Sequence, residues 1–312
     1  MGTARYTGRL LAVVGPTACG KTRRGVALAA RFGGEIVSAD SRQVYRGMDI
    51  GTGKDLGDYG TVPYHLIDVA PAGYKYNLYE YLRDSRRAVD DICSRGKMPV
   101  IVGGTGLYVE SLLKGMVLPE VPENTALRSE LGDKSLAELT AILARTKQLH
   151  NTTDVDTVQR AIRAIEIERY YEEHPDEARY AHEPEPLDCV IVGIDIPRDE
   201  RRRLISSRMR RRFDSENMLD EVQGLLDSGI APDDLIYYGL EYKYLTRHLL
   251  GELSRQQMEE ELEIAIHQFA KRQMTWFRGM ERRGFTINWL PWNMADSEFV
   301  DAVEKLMNNA PD

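Results

Sequence analysis

Cysteine is scarce: Cys19, Cys93 and Cys189 are the three in 312 residues, far apart and without a CxxC pair. That excludes a disulfide framework and offers no zinc-ligand spacing, so Cys93 and Cys189 read as small buried hydrophobes. No run of eighteen apolar residues occurs, and the opening MGTARYTGRL lacks the apolar middle of a signal peptide. Neither a membrane span nor secretion is therefore indicated, and the cytoplasm is the expected compartment. There is no internal repeat or low-complexity tract, and no cysteine or histidine follows residue 280 to supply a zinc-finger extension. An excess of positive charge is missing too, the net charge being -8. A uniformly basic surface is excluded, but not a polarised one.

What is present is a 42% hydrophobic chain, enough for one large core or for a core carrying a smaller inserted module. Arginines crowd PRDERRRLISSRMRRRF at 197–213, and Lys271, Arg272, Arg278, Arg282 and Arg283 form a second basic cluster. Together these define either one electropositive face or two solvated helix faces. Short apolar runs bounded by turn residues recur at 10–14 (LLAVV), 35–39 (EIVSA), 98–102 (MPVIV) and 188–194 (DCVIVGI), with amphipathic stretches between the first three. This alternation predicts an α/β fold, a parallel sheet flanked by helices, with a late strand at 285–290 and helices at 78–95 and 203–226. Between the proline-rich turns at 118–124 and 183–188 the pattern is helical alone. The chain is thus expected to consist of a core at 1–118 and 187–312 and an all-helical insertion at 119–186.

Gly15, Pro16, Thr17, Ala18, Cys19, Gly20, Lys21 and Thr22 match G-x-x-x-x-G-K-[ST] between a strand and a helix. In that context the glycines let successive N–H groups face one concavity, the helix N-terminus adds positive potential, Lys21 supplies a point charge and Thr22 can ligate Mg²⁺. The expected fold is therefore P-loop NTPase-like, and a ligand bearing a diphosphate follows. The second strand ends at Asp40 and the third runs into Gly103-Gly104-Thr105-Gly106, both at the carboxyl edge of the sheet. A hydrolytic P-loop enzyme would usually end that third strand in an acid, so the glycines weigh against an ATPase. Asp40 is open to two readings, a carboxylate that meets the acceptor or a magnesium-linked or capping group.

Taken together, GPTACGKT (15–22), ADSRQVYRGMDIGT (39–52), GGTGLYV (103–109), QRAIRAIEI (159–167) and KRQMTWFR (271–278) resemble, in order and spacing, the tRNA dimethylallyltransferase family. The resemblance spans roughly residues 10 to 280, with weaker matches at RRLISSRMRRRF and YYGLEYK. It implies a P-loop core with a helical tRNA-binding insertion, acting on dimethylallyl diphosphate and the anticodon stem-loop of tRNA, with Mg²⁺, as a monomer. The implied transfer joins the dimethylallyl group to the exocyclic N6 of adenosine 37. Asp40 would be the base that takes the amine proton, Thr105 a positioning residue, and Arg208 the arginine that offsets charge on the departing diphosphate, with Arg212 second on the donor. Arg208 as mere surface charge is the competing reading.

Because a stacked base cannot reach a cleft beside a sheet, the adenosine must be extruded and the emptied loop held. On the resemblance, Ser41, Arg42 and Gln43 line the base pocket. Arg128, Gln159, Arg160 and Arg163 of the insertion and Lys271, Arg272, Gln273, Trp276 and Arg278 of the core take phosphates and neighbouring bases. Trp276 and Phe277 serve either as stacking platforms or as core. The chain departs from the family pattern at Cys19, where serine is usual, at GTGKDLGDYG (51–60) and at HNTTDVD (150–156). Rival readings are a free adenine-nucleotide isopentenyltransferase, against which QRAIRAIEI and KRQMTWFR speak, a small-molecule P-loop kinase, and an RNA-binding protein with a decayed site.

Overall fold

The computed structural model describes residues 5–118, 120–146, 155–176 and 185–309. Six strands, β1 (Leu10–Val14), β2 (Glu35–Ser38), β3 (Tyr64–His65), β4 (Pro99–Gly103), β5 (Cys189–Asp195) and β6 (Ile287–Pro291), form one sheet in the order β3-β2-β4-β1-β5-β6. Every pairing is parallel. The all-apolar β1 lies near the middle of the sheet and is buried along its whole length, as a strand covered on both faces must be. In register, Val14 pairs with Gly103 on one side and Gly193 on the other, so the strands deliver their carboxyl ends to one edge.

Helices α1 (Lys21–Phe32), α2 (Leu78–Ser94) and α3 (Gly106–Leu113) follow the first strands. The helix α1 comes so close to β4 that a Cβ at Gly25 would lie 2.4 Å from Val102, and glycine is what permits the approach. After β5 come α7 (Arg198–Asp214), α8 (Met218–Asp227), α9 (Pro232–Tyr237), α10 (Leu240–Leu249), the 28-residue α11 (Arg255–Arg282) and, beyond β6, α12 (Asp296–Asn309). Leu11, Val13, Val100, Val102, Val192 and Ile194 of the sheet share a core with Leu28 of α1 and with Phe299 and Val303 of α12.

Where one helix was expected over 203–226 there are two, broken at 215–217 by Asn217 in the left-handed region with φ 53. Asparagine tolerates that conformation, and hydrophobic periodicity carries no trace of it. The two-residue β3 is likewise too short to leave a periodic signal. Cys93 is buried, as expected, whereas Cys189 is half-buried.

The chain divides into two compact units, Met1–Lys114 with Leu187–Asp312, and Gly115–Pro186. The second unit contains α4 (Thr125–Leu131), α5 (Leu136–Thr146) and α6 (Val158–Glu173), and no strand among its described residues. Leu127, Leu131, Leu139, Leu143, Ala161 and Ile165 make its core. Residues 150–154 of the expected turn at 150–156 lie outside the described residues, as do Pro119 and 183–184 of the hinges.

Candidate active site

The loop between β1 and α1 turns through two left-handed residues, Ala18 (φ 63) and Gly20 (φ 81), before Lys21 opens the helix. One of its amides is already committed: Thr17 N–H donates to Gln273 Oε1 at 2.8 Å, while Gln273 Nε2 donates to the Gly104 carbonyl at 2.9 Å. Gln273 therefore ties the β1 loop to the β4 loop. It was expected to face RNA, but it is 6% exposed and both ends of its carboxamide are spent inside the protein. Lys21 Nζ lies 3.4 Å from the Pro16 carbonyl. Burial pushes the Cys19 thiol up, and Lys21 offsets only part of that, so the side chain sits under the loop as a neutral thiol.

Asp40 and Thr105 follow the neighbouring strands β2 and β4. Asp40 Oδ1 accepts from Arg42 N–H at 2.9 Å, and Thr105 Oγ1 accepts from Ser41 N–H at 3.0 Å and lies 3.3 Å from Ser41 Oγ. One Asp40 oxygen thus stiffens its own turn. Thr17, Lys21, Asp40, Ser41, Thr105 and Arg208 all line one cavity of about 460 Å³, whose far wall is formed by Tyr238, Leu240, Ile266, Phe269, Arg272 and Trp276. A side chamber of about 90 Å³ is bordered by Lys21, Thr22, Asp40, Asp55, Asp58 and Arg208.

Arg208 and Arg212 stand one turn apart on α7, and Arg208 Nη2 donates to Thr17 Oγ1. The Arg208 guanidinium is pushed down to about 10 by burial and by the charge of Arg212, and it stays protonated at neutral pH. Arg212 is 2% exposed. Its nearest carboxylates, Glu216 and Asp55, are 3.9 and 4.0 Å away, and its Nε and Nη2 have no hydrogen-bond partner. Two adjacent guanidiniums so sparsely compensated make a strong demand for an anion.

Several residues expected at an RNA surface are occupied otherwise. Gln43 is buried, accepting from Ser38 Oγ at 3.1 Å and donating to the Gly53 carbonyl at 3.0 Å. Phe277 is fully buried, while its neighbour Trp276 is 39% exposed beside Gly106. Of the two aromatics, only Trp276 reaches the surface, where the Arg283 guanidinium lies 5.6 Å from its ring centroid. Lys271, Arg272 and Arg278 are exposed, and Arg42 lies 5.5 Å over the Tyr237 ring. In the helical unit Gln159 is exposed and Arg160 pairs with Asp156. Arg128 and Arg163 both bind Glu166, which is 2% exposed. Burial draws the Glu166 carboxyl upward, but Arg128, the Asn124 amide and Arg163 outweigh it and hold it below the usual carboxylate range.

Residue type alone did not reveal Glu166, Lys54 or Glu221. Lys54 is fully buried, donating to the Tyr45 carbonyl at 2.7 Å and to Asp49 and Asp68. A lysine after two glycines at 51 and 53 was a signal of sorts, since lysine is seldom buried without partners. Glu221, one of many acids on exposed helices, carried none.

A parallel sheet whose first two strands and β4 wall one cavity at their carboxyl ends belongs to the α/β proteins that hold a ligand at the sheet's switch point. The profile of the IPP transferase family matches residues 43–280, and that of the isopentenyl transferase family residues 8–58. The chain belongs to the IPP transferase family. It is 56% identical over 301 residues to tRNA dimethylallyltransferase 1 of Porphyromonas gingivalis, covering 95% of this chain and 98% of that protein. It is 57% identical over 303 residues to tRNA dimethylallyltransferase 2 of Phocaeicola vulgatus, covering 96% of each. Among solved structures, the tRNA delta(2)-isopentenylpyrophosphate transferase of Staphylococcus epidermidis superposes with a TM-score of 0.70 at 30% identity, over 97% of this chain and 100% of that one.

Proposed function

We propose that this enzyme transfers a dimethylallyl group from dimethylallyl diphosphate to N6 of adenosine 37, 3′ of the anticodon, in tRNA, releasing diphosphate. The observation that carries the reading is that cations suited to a diphosphate, Lys21 and Arg208, share one cavity with a carboxylate, Asp40. In the transfer, N6 attacks the allylic carbon, the carbon–oxygen bond to diphosphate breaks, and the amine loses a proton. The glycine loop at 15–22 acts as a P-loop, with Lys21, Arg208 and Arg212 offsetting the charge that gathers on the departing oxygen. Asp40 takes the amine proton. Thr105, bonded to Ser41, positions the acceptor turn.

Mg²⁺ fits the Thr22 hydroxyl, which borders the side chamber. No cluster of three or more His, Cys, Asp or Glu stands ready for a metal among the described residues. That suits an ion held largely by substrate phosphates and water. When bound, Mg²⁺ would neutralise diphosphate charge.

The extruded adenosine enters beside 41–42, while Arg272 and Trp276 at the cavity wall meet neighbouring nucleotides. The helical unit is read as a tRNA-gripping insertion in the P-loop core, using Gln159 and its arginines. Donor and acceptor groups line a cavity of a single chain, which supports a monomer. We infer a cytoplasmic setting, where tRNA is the substrate; no helix among the described residues is long and apolar enough to cross a membrane. The test is transfer of radiolabelled dimethylallyl groups to unmodified tRNA beside AMP, with Mg²⁺. Label in tRNA alone is expected. Label in AMP alone would move the enzyme to the free-nucleotide class, and label in neither would reopen the kinase reading.

A further inference from the structure

The loop at 49–55 forms part of the wall on which donor binding depends, yet it has no regular structure beyond tight turns. Thr52 borders the main cavity, and Thr52, Gly53 and Asp55 border the side chamber with Lys21, Thr22 and Arg208. Gly53, at φ 67, touches the second guanidinium so closely that a Cβ there would lie 2.4 Å from Arg212 Nη2. The position of this loop therefore bears directly on the position of Arg212, and through it on Arg208.

One carboxylate gathers the backbone amides at the start of this loop. Glu221, in the first turn of α8, accepts from three successive backbone amides: Asp49 N–H at 2.8 Å and Ile50 N–H at 2.7 Å on Oε2, and Gly51 N–H at 3.1 Å on Oε1. Tyr242 Oη donates to the same Oε1 at 2.6 Å. Successive amides converging on one point form an anion nest, and a carboxylate in it is bound by charge-assisted hydrogen bonds. The Tyr242 ring closes the arrangement, since a Cβ on Gly51 would meet it at 2.7 Å. Burial first, and then the Glu221 charge, hold the Tyr242 phenol well above its ordinary value, so it remains a donor. The other anchors, Lys54 and Gln43, fix the loop from its own side of the fold. Glu221 joins it to the α7–α8 segment that carries both arginines.

We infer that Glu221 is a positioning residue for donor binding: its carboxylate fixes the 49–51 amides and so sets Gly53 against the Arg212–Arg208 pair. The inference rests on the reading that this pair holds the donor diphosphate.

The experiment is steady-state transfer to tRNA by the parent, Glu221→Gln, Tyr242→Phe and Arg212→Lys, with thermal melts of each. Glu221→Gln keeps the shape but replaces one acceptor oxygen by a donor facing backbone N–H groups. It is expected to raise the KM for dimethylallyl diphosphate about 10-fold, leaving the KM for tRNA within about twofold. A merely structural role would lower the active fraction, and hence kcat, with both KM values unchanged. That result, or no change at all, overturns the inference. If Glu221→Gln does not fold, Tyr242→Phe, which removes one of the four hydrogen bonds, is expected to raise the donor KM about threefold; an unchanged value then overturns it. Donor KM raised by Arg212→Lys but not by Glu221→Gln overturns the role of Glu221 and leaves the diphosphate reading standing. Donor KM raised by neither overturns both.

Discussion

Replacing Gln273 by Met keeps the volume of the side chain and deletes a hydrogen-bonded link between the loops after β1 and β4. The side chain makes two hydrogen bonds, to Thr17 N–H at 2.8 Å and to the Gly104 carbonyl at 2.9 Å, at a site 6% exposed. Each bond has a net worth of about 1 kcal/mol, and each buried partner left unpaired costs about 1–3 kcal/mol. Both partners adjoin the cavity, and water can reach them in part, so the loss falls at the low end, about 2–3 kcal/mol together. For a chain of this size that corresponds to a fall in Tm of roughly 3–5 °C. The β1 loop, freed from the β4 loop, also loses its fixed relation to Lys21, and the donor KM rises several-fold. Differential scanning calorimetry and donor-saturation kinetics read the two effects. An unchanged Tm would refute the claim that the link stabilises the fold. An unchanged donor KM would refute the claim that it sets the loop.

Asp40→Ala is expected to abolish transfer while largely sparing donor binding, read by single-turnover kinetics beside donor titration; normal turnover would remove Asp40 from the mechanism. Charge reversal at Lys271 and Arg272 should weaken tRNA binding and lower the slope of log K against log salt by about 2 if both contact phosphates, and an unchanged affinity would discard that surface. Glu35, 2% exposed, is hydrogen-bonded by Arg95, Lys97 and His65, and Arg95 above all holds its carboxyl well below the usual range against the opposing effect of burial. A depressed carboxyl stabilises the fold above its unfolded value of about 4.3 and loses that contribution as pH falls below it. Glu35→Gln should therefore be less stable than the parent by about 2 kcal/mol at pH 7, and urea melts should show the gap narrowing below about pH 4. A gap independent of pH would mean that the charge of Glu35 is not what matters.

Much of the fold was legible because its causes are local. The strand LLAVV has no polar residue and needs cover on both faces, and a glycine loop followed by Lys-Thr has few uses other than opening a helix at a sheet edge. The order of the motifs was enough to point to the family, since strand ends in a parallel sheet share one edge whatever packs around them. The sequence could not reveal which way a polar side chain on a helix turns. Gln273, Trp276 and Phe277 lie within five positions of α11, yet the first is spent between two loops, the second faces the cavity and the third is core. Composition treats Arg208, Arg212 and the arginines around them alike, whereas packing buries Arg212 and leaves Arg210 and Arg211 in water. Glu221 meets a loop some 170 positions away. A contact of that kind depends on where α8 starts after the left-handed turn at Asn217, which no periodicity in the chain encodes. The sequence by itself determined the elements, the parallel sheet and the loops at its edge, because those follow from backbone pairing and burial along the chain. Which cations remain uncompensated, and which carboxylate holds which loop, was decided only by the tertiary structure, because charge compensation depends on distances between residues remote in sequence.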